Sequence, residues 1–323
     1  MKPGSTHVRY LFKKYLESRN YSRVTVEKYI RVVRDFFHYL QEERGKEDVR
    51  EVTGEDILTW QKKLTGELHG GKRRYAPSSI KGIIFTLRHL FRYLYRNELI
   101  LANPFDRLRI KIQTVKKVRE CIGEEEMNEF LDSIELKGKL NIRDRALFEM
   151  MYETGLRVGE VTALDVTDID LKSGKVFVRE GKGRKDRVVP LGRNDLEYLK
   201  VYIKRARPLF LKNVGDKEET RALFLTQNGG RINTAAISHR LKKRFKDLGL
   251  RTHVTPHMIR HSFATHMLMH GADIKSVKEI LGHSSMETTV MYTHVGVRSL
   301  KKLIKMYHPR ENELYEEFKE GEG

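Results

Sequence analysis

The apolar residues of the first hundred positions recur at intervals of three and four. Ile80, Ile83, Ile84, Leu87, Leu90, Phe91 and Leu94 make one such series, and Val26, Tyr29, Ile30, Val33, Phe36, Phe37 and Leu40 make another. An α-helix turns once in 3.6 residues, so this spacing gathers each series on one face and predicts amphipathic helices with a buried stripe. Start signals agree. Ser22 precedes the earlier series as an N-cap, and Thr53 with Asp56 three residues on resembles a capping box that opens a helix through Trp60 and Leu64. Gly66, Gly70 and Gly71 end that helix, and Ser78 or Ser79 starts the next. With Lys and Arg interspersed on the outer faces, residues 1–102 read as a small all-α domain.

Asn103-Pro104 breaks the last of these helices. Arg107–Lys117 then alternates basic and apolar residues without a periodic run, so 103–119 reads as a linker. The larger domain, 120–323, opens with helices around Glu124–Ile134 and Arg143–Thr154. Lys175–Val178 and Arg187–Pro190 are short β-rich runs on either side of Gly181-Lys182-Gly183, the signature of a hairpin. Helices return from Asn194 to Ala206 and dominate afterwards. The expected fold class is therefore mainly α with a small β-hairpin: an all-α N-terminal domain followed by an α+β domain.

Charge narrows the partner. The 323 residues carry 63 Lys+Arg against 44 Asp+Glu, a formal net charge of +19. Residues 1–100 hold 21 basic and 12 acidic side chains, whereas Arg310–Gly323 holds two basic and six acidic. A surface rich in Lys, Arg and Glu explains a high total charge but not that basic bias, which suits a polyanion such as nucleic acid. The single cysteine, Cys121, can form no internal disulfide and no Cys-based zinc cluster. With neither an apolar leader nor an eighteen-residue apolar run, the cytoplasm is the expected location.

Three motifs compete for the chemistry. Gly66-x4-Gly71-Lys72 has phosphate-loop spacing, but Arg73 stands where a Mg²⁺-binding hydroxyl is needed and a helix precedes it, so it reads as an inter-helix turn. Seven of the thirteen histidines fall between His253 and His294, with His257/His261 and His266/His270 as i,i+4 pairs. No Glu lies between them in the zinc-protease manner, and Arg260 would repel a cation, so no metal is expected. The third group is Thr154-Gly155-Leu156-Arg157-Val158-Gly159-Glu160, then Pro256-His257-Met258-Ile259-Arg260-His261, then Leu281-Gly282-His283, and Tyr292 in Met291-Tyr292-Thr293-His294. Guanidinium groups can neutralise the non-bridging oxygens of a phosphoryl transition state. A tyrosine can attack phosphorus if it is helped to lose its proton, and the leaving sugar oxygen needs a donor. Spacing alone does not separate His257 from His261. Nor does it separate Lys182 from Arg184, Lys185 and Arg187, any of which can touch phosphate. Glu160 reads as a group that orients Arg157 or caps a helix.

With these residues in order, the chain resembles the tyrosine recombinases, most closely the Xer branch that resolves chromosome dimers. The resemblance runs from the helical N-terminal region to Tyr292 and is strongest in T-G-L-R-V-G-E, G-K-G-R-K-D-R, H-M-I-R-H-S-F-A-T-H and L-G-H-S. It implies a core-binding domain and a catalytic domain, with Arg157, Lys182, His257, Arg260, His283 and Tyr292 as catalytic residues and Glu160 in support. It further implies cutting and rejoining of DNA through a 3′-phosphotyrosine, a C-shaped clamp on duplex DNA bearing a specific site, and synapsis as a tetramer. A C-terminal helix, here within the tail 299–323, would dock on a neighbouring protomer; Leu303, Ile304, Leu314, Tyr315 and Phe318 are its apolar anchors, with packing in cis as the alternative. One ester replaces another in this chemistry, so no cofactor is expected. Lys72, Arg73, Arg74, Arg184 and Lys185 are candidate DNA contacts. Phage or mobile-element integration, or type IB topoisomerase-like nicking, are the neighbouring functions.

Overall fold

The computed structural model describes residues 4–69, 72–112, 120–179, 186–212, 221–282 and 294–311. They form two compact units that divide between Lys117 and Val118.

In the first unit, α1 (Ser5–Ser18) buries Val8, Phe12 and Leu16, one turn apart. α2 (Arg23–Arg44) opens where the Ser22 hydroxyl accepts from the Thr25 amide and closes on Gly45, whose φ of +63° is the left-handed cap that glycine favours. α3 (Gly54–Gly66) begins at the anticipated box: the Asp56 carboxylate accepts from the Thr53 amide at 2.8 Å and its hydroxyl at 2.9 Å. Asp56 is fully buried. Burial pushes its pKa up, but bonds from Lys46, Thr53 and Arg44 outweigh that and hold it at about 2. α4 (Pro77–Arg96) starts at Pro77, one residue before the anticipated serine, because proline is preset for the first helical position. Between α3 and α4 stands a minimal antiparallel pair, β1 (Leu68–His69) and β2 (Lys72–Arg73), where the sequence predicted only a turn.

The periodic residues of α2 and α4 form the core they predict, centred on Phe36, Trp60 and Phe91. Phe36 and Trp60 rings lie 4.9 Å apart. Residues 103–112, predicted as the start of a linker, lie against this core: Phe105 is buried, and Leu108, Ile110 and Ile112 pack on it.

In the second unit α5 (Glu124–Asp132) leads into α6 (Gly138–Thr154), which is buried at every position from Arg143 to Thr154. After α7 (Val158–Ala163), strands β3 (Ile169–Asp170), β4 (Lys175–Val178) and β5 (Arg187–Pro190) form an antiparallel sheet in chain order. Val178 pairs with Arg187 at the end of the hairpin whose connection carries Lys182. α8 (Arg193–Val201) passes through a π-helical turn, Tyr202–Ala206, into α9 (Arg207–Leu211). Then come α10 (Thr234–Asp247), α11 (Pro256–Met269), α12 (Ile274–Ile280) and α13 (His294–Tyr307).

A 3₁₀ turn at Pro309–Glu311 fastens the end of α13 to its own unit. The buried Arg310 guanidinium donates to Glu149 at 2.6 Å and Asp132 at 3.1 Å, and Asn194 donates to the Arg310 carbonyl at 2.5 Å. Ile304 is buried in the same core and Leu303 packs against it, so these two anchors are held in cis. Leu314, Tyr315 and Phe318 lie outside the described residues.

Candidate active site

Three segments distant in sequence meet at Arg260. Pro256 opens α11, which puts Ile259, Phe263 and Met267 on the buried face and carries Arg260 inward with them. The Arg260 guanidinium donates to the Gly155 carbonyl and to the Leu281 carbonyl, each at 2.6 Å. Gly155 ends α6 at a φ of +60° and stands two residues before Arg157; Leu281 stands two residues before His283. One buried cation therefore ties together the turns that lead to both. The approach is close enough to demand glycine at 155, since a Cβ there would lie 2.5 Å from Phe263 Cδ1 and 2.8 Å from Leu281 Cδ2.

Arg157 is the N-cap of α7 and Glu160 its third helical residue. Glu160 Oε2 accepts from the Arg157 amide and Oε1 from Arg157 Nη1, both at 2.7 Å. Arg187 completes the clamp with Nη1 to Oε1 at 3.0 Å and Nη2 to Oε2 at 2.9 Å. Burial alone would raise the Glu160 pKa; the paired Arg187 and Arg157 override it and lower it to about 2. The Arg187 side chain is 2% exposed and that of Arg157 is 28% exposed, so the network has a buried end and an open end.

His257 is the second residue of α11, exposed and one helical turn from Arg260. Two later histidines are held by partners of their own. His266 is buried and shares a 2.7 Å hydrogen bond with the Tyr152 hydroxyl, and His270 reaches Glu124 at 3.0 Å. Among the described residues no group of three or more His, Cys, Asp or Glu is placed to hold a metal ion.

Of the sequence-predicted residues, Arg157 and Glu160 are bonded to each other, Arg260 holds the carbonyl two residues before Arg157, and His257 lies one turn from Arg260 on α11. Lys182, His283 and Tyr292 lie outside the described residues, as do Arg184 and Lys185. Lys72 and Arg73 are described only as backbone, in β2. Arg74 is ion-paired to Glu67, with its guanidinium 5.3 Å from the Tyr75 ring centre. Sequence reasoning grouped Arg187 with the basic loop residues and missed its buried pairing with Glu160. The alternation of β5 carried the signal, because Arg187 shares a strand face with the buried Val189.

Arg157 at the start of α7, Arg260 inside α11 and the exposed His257 one turn before it are cationic or ionisable groups of the kind that can meet an anionic substrate. Comparison with known proteins makes the class specific. Residues 120–298 match the model of the phage integrase family, and residues 10–98 match the phage integrase N-terminal SAM-like domain. The chain belongs to the phage integrase family, the tyrosine recombinases. A relative named tyrosine recombinase XerC, from Lacticaseibacillus casei, is 36% identical over 302 residues, spanning 93% of this chain and 98% of its own. The structure of an XerH site-specific recombinase bound to difH substrate is 26% identical, with a TM-score of 0.63 over 94% of this chain and 84% of that one. A Tn1549 transposon integrase in complex with circular-intermediate DNA shares the fold, with a TM-score of 0.68 at 21% identity over 90% of this chain and 98% of its own. Within the family this chain is a site-specific DNA recombinase of the Xer type.

Proposed function

We propose that this recombinase resolves chromosome dimers by cutting and rejoining duplex DNA, with Tyr292 as the nucleophile. The Tyr292 oxygen attacks the scissile phosphorus while its proton passes to a base, a transfer that His257 assists. The bond from phosphorus to the 5′-oxygen breaks, and Lys182 protonates that oxygen as it leaves. Arg157, Arg260 and His283 stabilise charge on the non-bridging oxygens. A 5′-hydroxyl from the partner duplex then attacks the 3′-phosphotyrosine and restores the phenol. Bond types are conserved, so the exchange needs no external energy source. A tetramer on two synapsed sites would carry out the exchanges in pairs, with residues beyond Glu311 reaching the neighbouring protomer and the cytoplasm as the place of action.

The observation that carries this reading is the Arg260 guanidinium bonded at 2.6 Å to the carbonyls of both Gly155 and Leu281. That contact draws the Arg157 turn and the approach to His283 to one point. The test is a nicked suicide duplex incubated with the full chain in EDTA. A detergent-resistant adduct at the 3′-phosphate is expected, and Tyr292→Phe should abolish it. Strand breakage that requires Mg²⁺ and survives that substitution would identify a different enzyme.

A further inference from the structure

We propose that Arg187 is a positioning residue for strand cleavage, one that aims Arg157 at the phosphate by fixing the carboxylate between them. The proposal rests on the recombinase reading and extends it to a side chain outside the six matched to the family.

The geometry is a shared clamp. Glu160 Oε1 accepts from Arg157 Nη1 at 2.7 Å and Arg187 Nη1 at 3.0 Å, and Oε2 accepts from the Arg157 backbone amide at 2.7 Å and Arg187 Nη2 at 2.9 Å. A carboxylate held only by the Arg157 amide and guanidinium could still turn about the amide bond. One also gripped in a two-pronged fork by a second guanidinium has a fixed plane, and fixes the direction of the first. Arg187 is well suited to be the fixed member. Its backbone is locked by the β4–β5 pairing with Val178, and its side chain is 2% exposed. Its Cζ also lies 3.0 Å from where a Cβ would stand on Gly282, which adopts a φ of +65° immediately before His283. Arg157, 28% exposed, is the member that opens toward solvent. The two arginines therefore divide the work, one as anchor and the other as contact. Misaiming a catalytic group by about an ångström can cost on the order of 100-fold in rate.

A residue that works through Arg157 has no work left once Arg157 is gone, and this gives the experiment. Single-turnover cleavage of a nicked suicide duplex at saturating DNA is measured for the full chain, Arg187→Met, Arg187→Lys, Arg157→Ala and the two combined variants. Arg187→Met should slow adduct formation by about 10–100-fold, with duplex affinity changed less than about threefold. Arg187→Lys should fall between, because an ammonium keeps the charge but not the fork. In the Arg157→Ala background either substitution should cost less than about threefold. Equal fractional losses in both backgrounds would overturn the proposal, as would a loss of DNA affinity in place of rate, which would make Arg187 a phosphate contact. Thermal unfolding accompanies each variant; if Arg187→Met does not fold, Arg187→Lys applies the same criterion. Failure of the unsubstituted chain to form any adduct would instead remove the recombinase reading and the proposal together. A normal adduct with Arg187→Met at full rate removes only the proposal.

Discussion

At the scale of single residues, Gly155 shows how little tolerance the site has. It ends α6 in the left-handed region and lets α11 and the end of α12 approach until Phe263 and Leu281 occupy the space of a side chain. Gly155→Ala adds both backbone strain and an overlap with two buried groups. It should lower stability by about 2–4 kcal/mol, read as a fall in the urea midpoint, with the Arg260 bond to its carbonyl disturbed in the folded remainder. An unchanged midpoint would mean that the contact is softer than it looks. Glu160 has the opposite character, as a charge made welcome. Its pKa, lowered to about 2, means that its contribution is present above its ordinary value near 4.5 and is lost as pH falls toward 2. At this scale the motif letters were legible in the sequence, whereas the partner of Glu160 was not: Arg187 lies 27 positions away, and only the fold brings it there.

At the scale of elements, the 3₁₀ turn after α13 seats on α6 and α8 over an unusual group. Glu153 and Asp195 are fully buried, and Glu311 reaches in beside them to accept from the Arg193 amide. Gly192 lies against Glu153 and Glu311 with no room for a Cβ. Burial, with Asp195, Glu149 and Glu311 nearby, pushes the Glu153 carboxyl well above its usual range; burial, with Glu149 and Glu311, does the same to Asp195. Arg310 is the buried cation that faces them, paired to Glu149 and Asp132. Raised values mean that the folded state holds these protons more tightly than the unfolded chain. Their contribution is fully present below the ordinary carboxylate range and is lost as pH rises through the folded values. Asp195→Asn removes one of the two acids, so it should stabilise the protein by about 1–3 kcal/mol at pH 8 and by less at pH 5. Thermal unfolding at the two pH values checks this, and an equal effect at both would refute it. The helices α2 and α4 were readable from apolar spacing. α6 was not readable as a central element, because it buries Arg143, Asp144, Arg145, Glu149 and Glu153 together with its apolar residues. A helix that pairs its charges inside the core shows no amphipathic pattern.

For the molecule as a whole, the net charge of +19 governs how DNA is met. Binding that neutralises phosphates releases condensed counterions, so affinity should fall steeply with salt. A plot of log affinity against log salt concentration should have a slope of about −5 or steeper for duplex DNA. Fluorescence anisotropy over a salt series measures it, and a slope near zero would show that the basic surface is not the DNA-binding surface. No described helix is long and apolar enough to cross a membrane.

What the sequence determined alone was whatever depends on neighbours along the chain: helical faces from three-and-four spacing, the Ser22 and Thr53–Asp56 caps, the β4–β5 hairpin, and the order of the motif residues. Such features arise within a turn or two of backbone, so their signals survive in the linear order. Tertiary structure decided the rest. It set Arg260 between two carbonyls 105 and 21 residues away, made Arg187 a buried partner of Glu160, drew residues 103–112 onto the first core, and held Ile304 and Arg310 in cis. The physical reason is that a polar side chain with a buried partner looks the same in sequence as one facing water, and only the three-dimensional packing says which of the two it is.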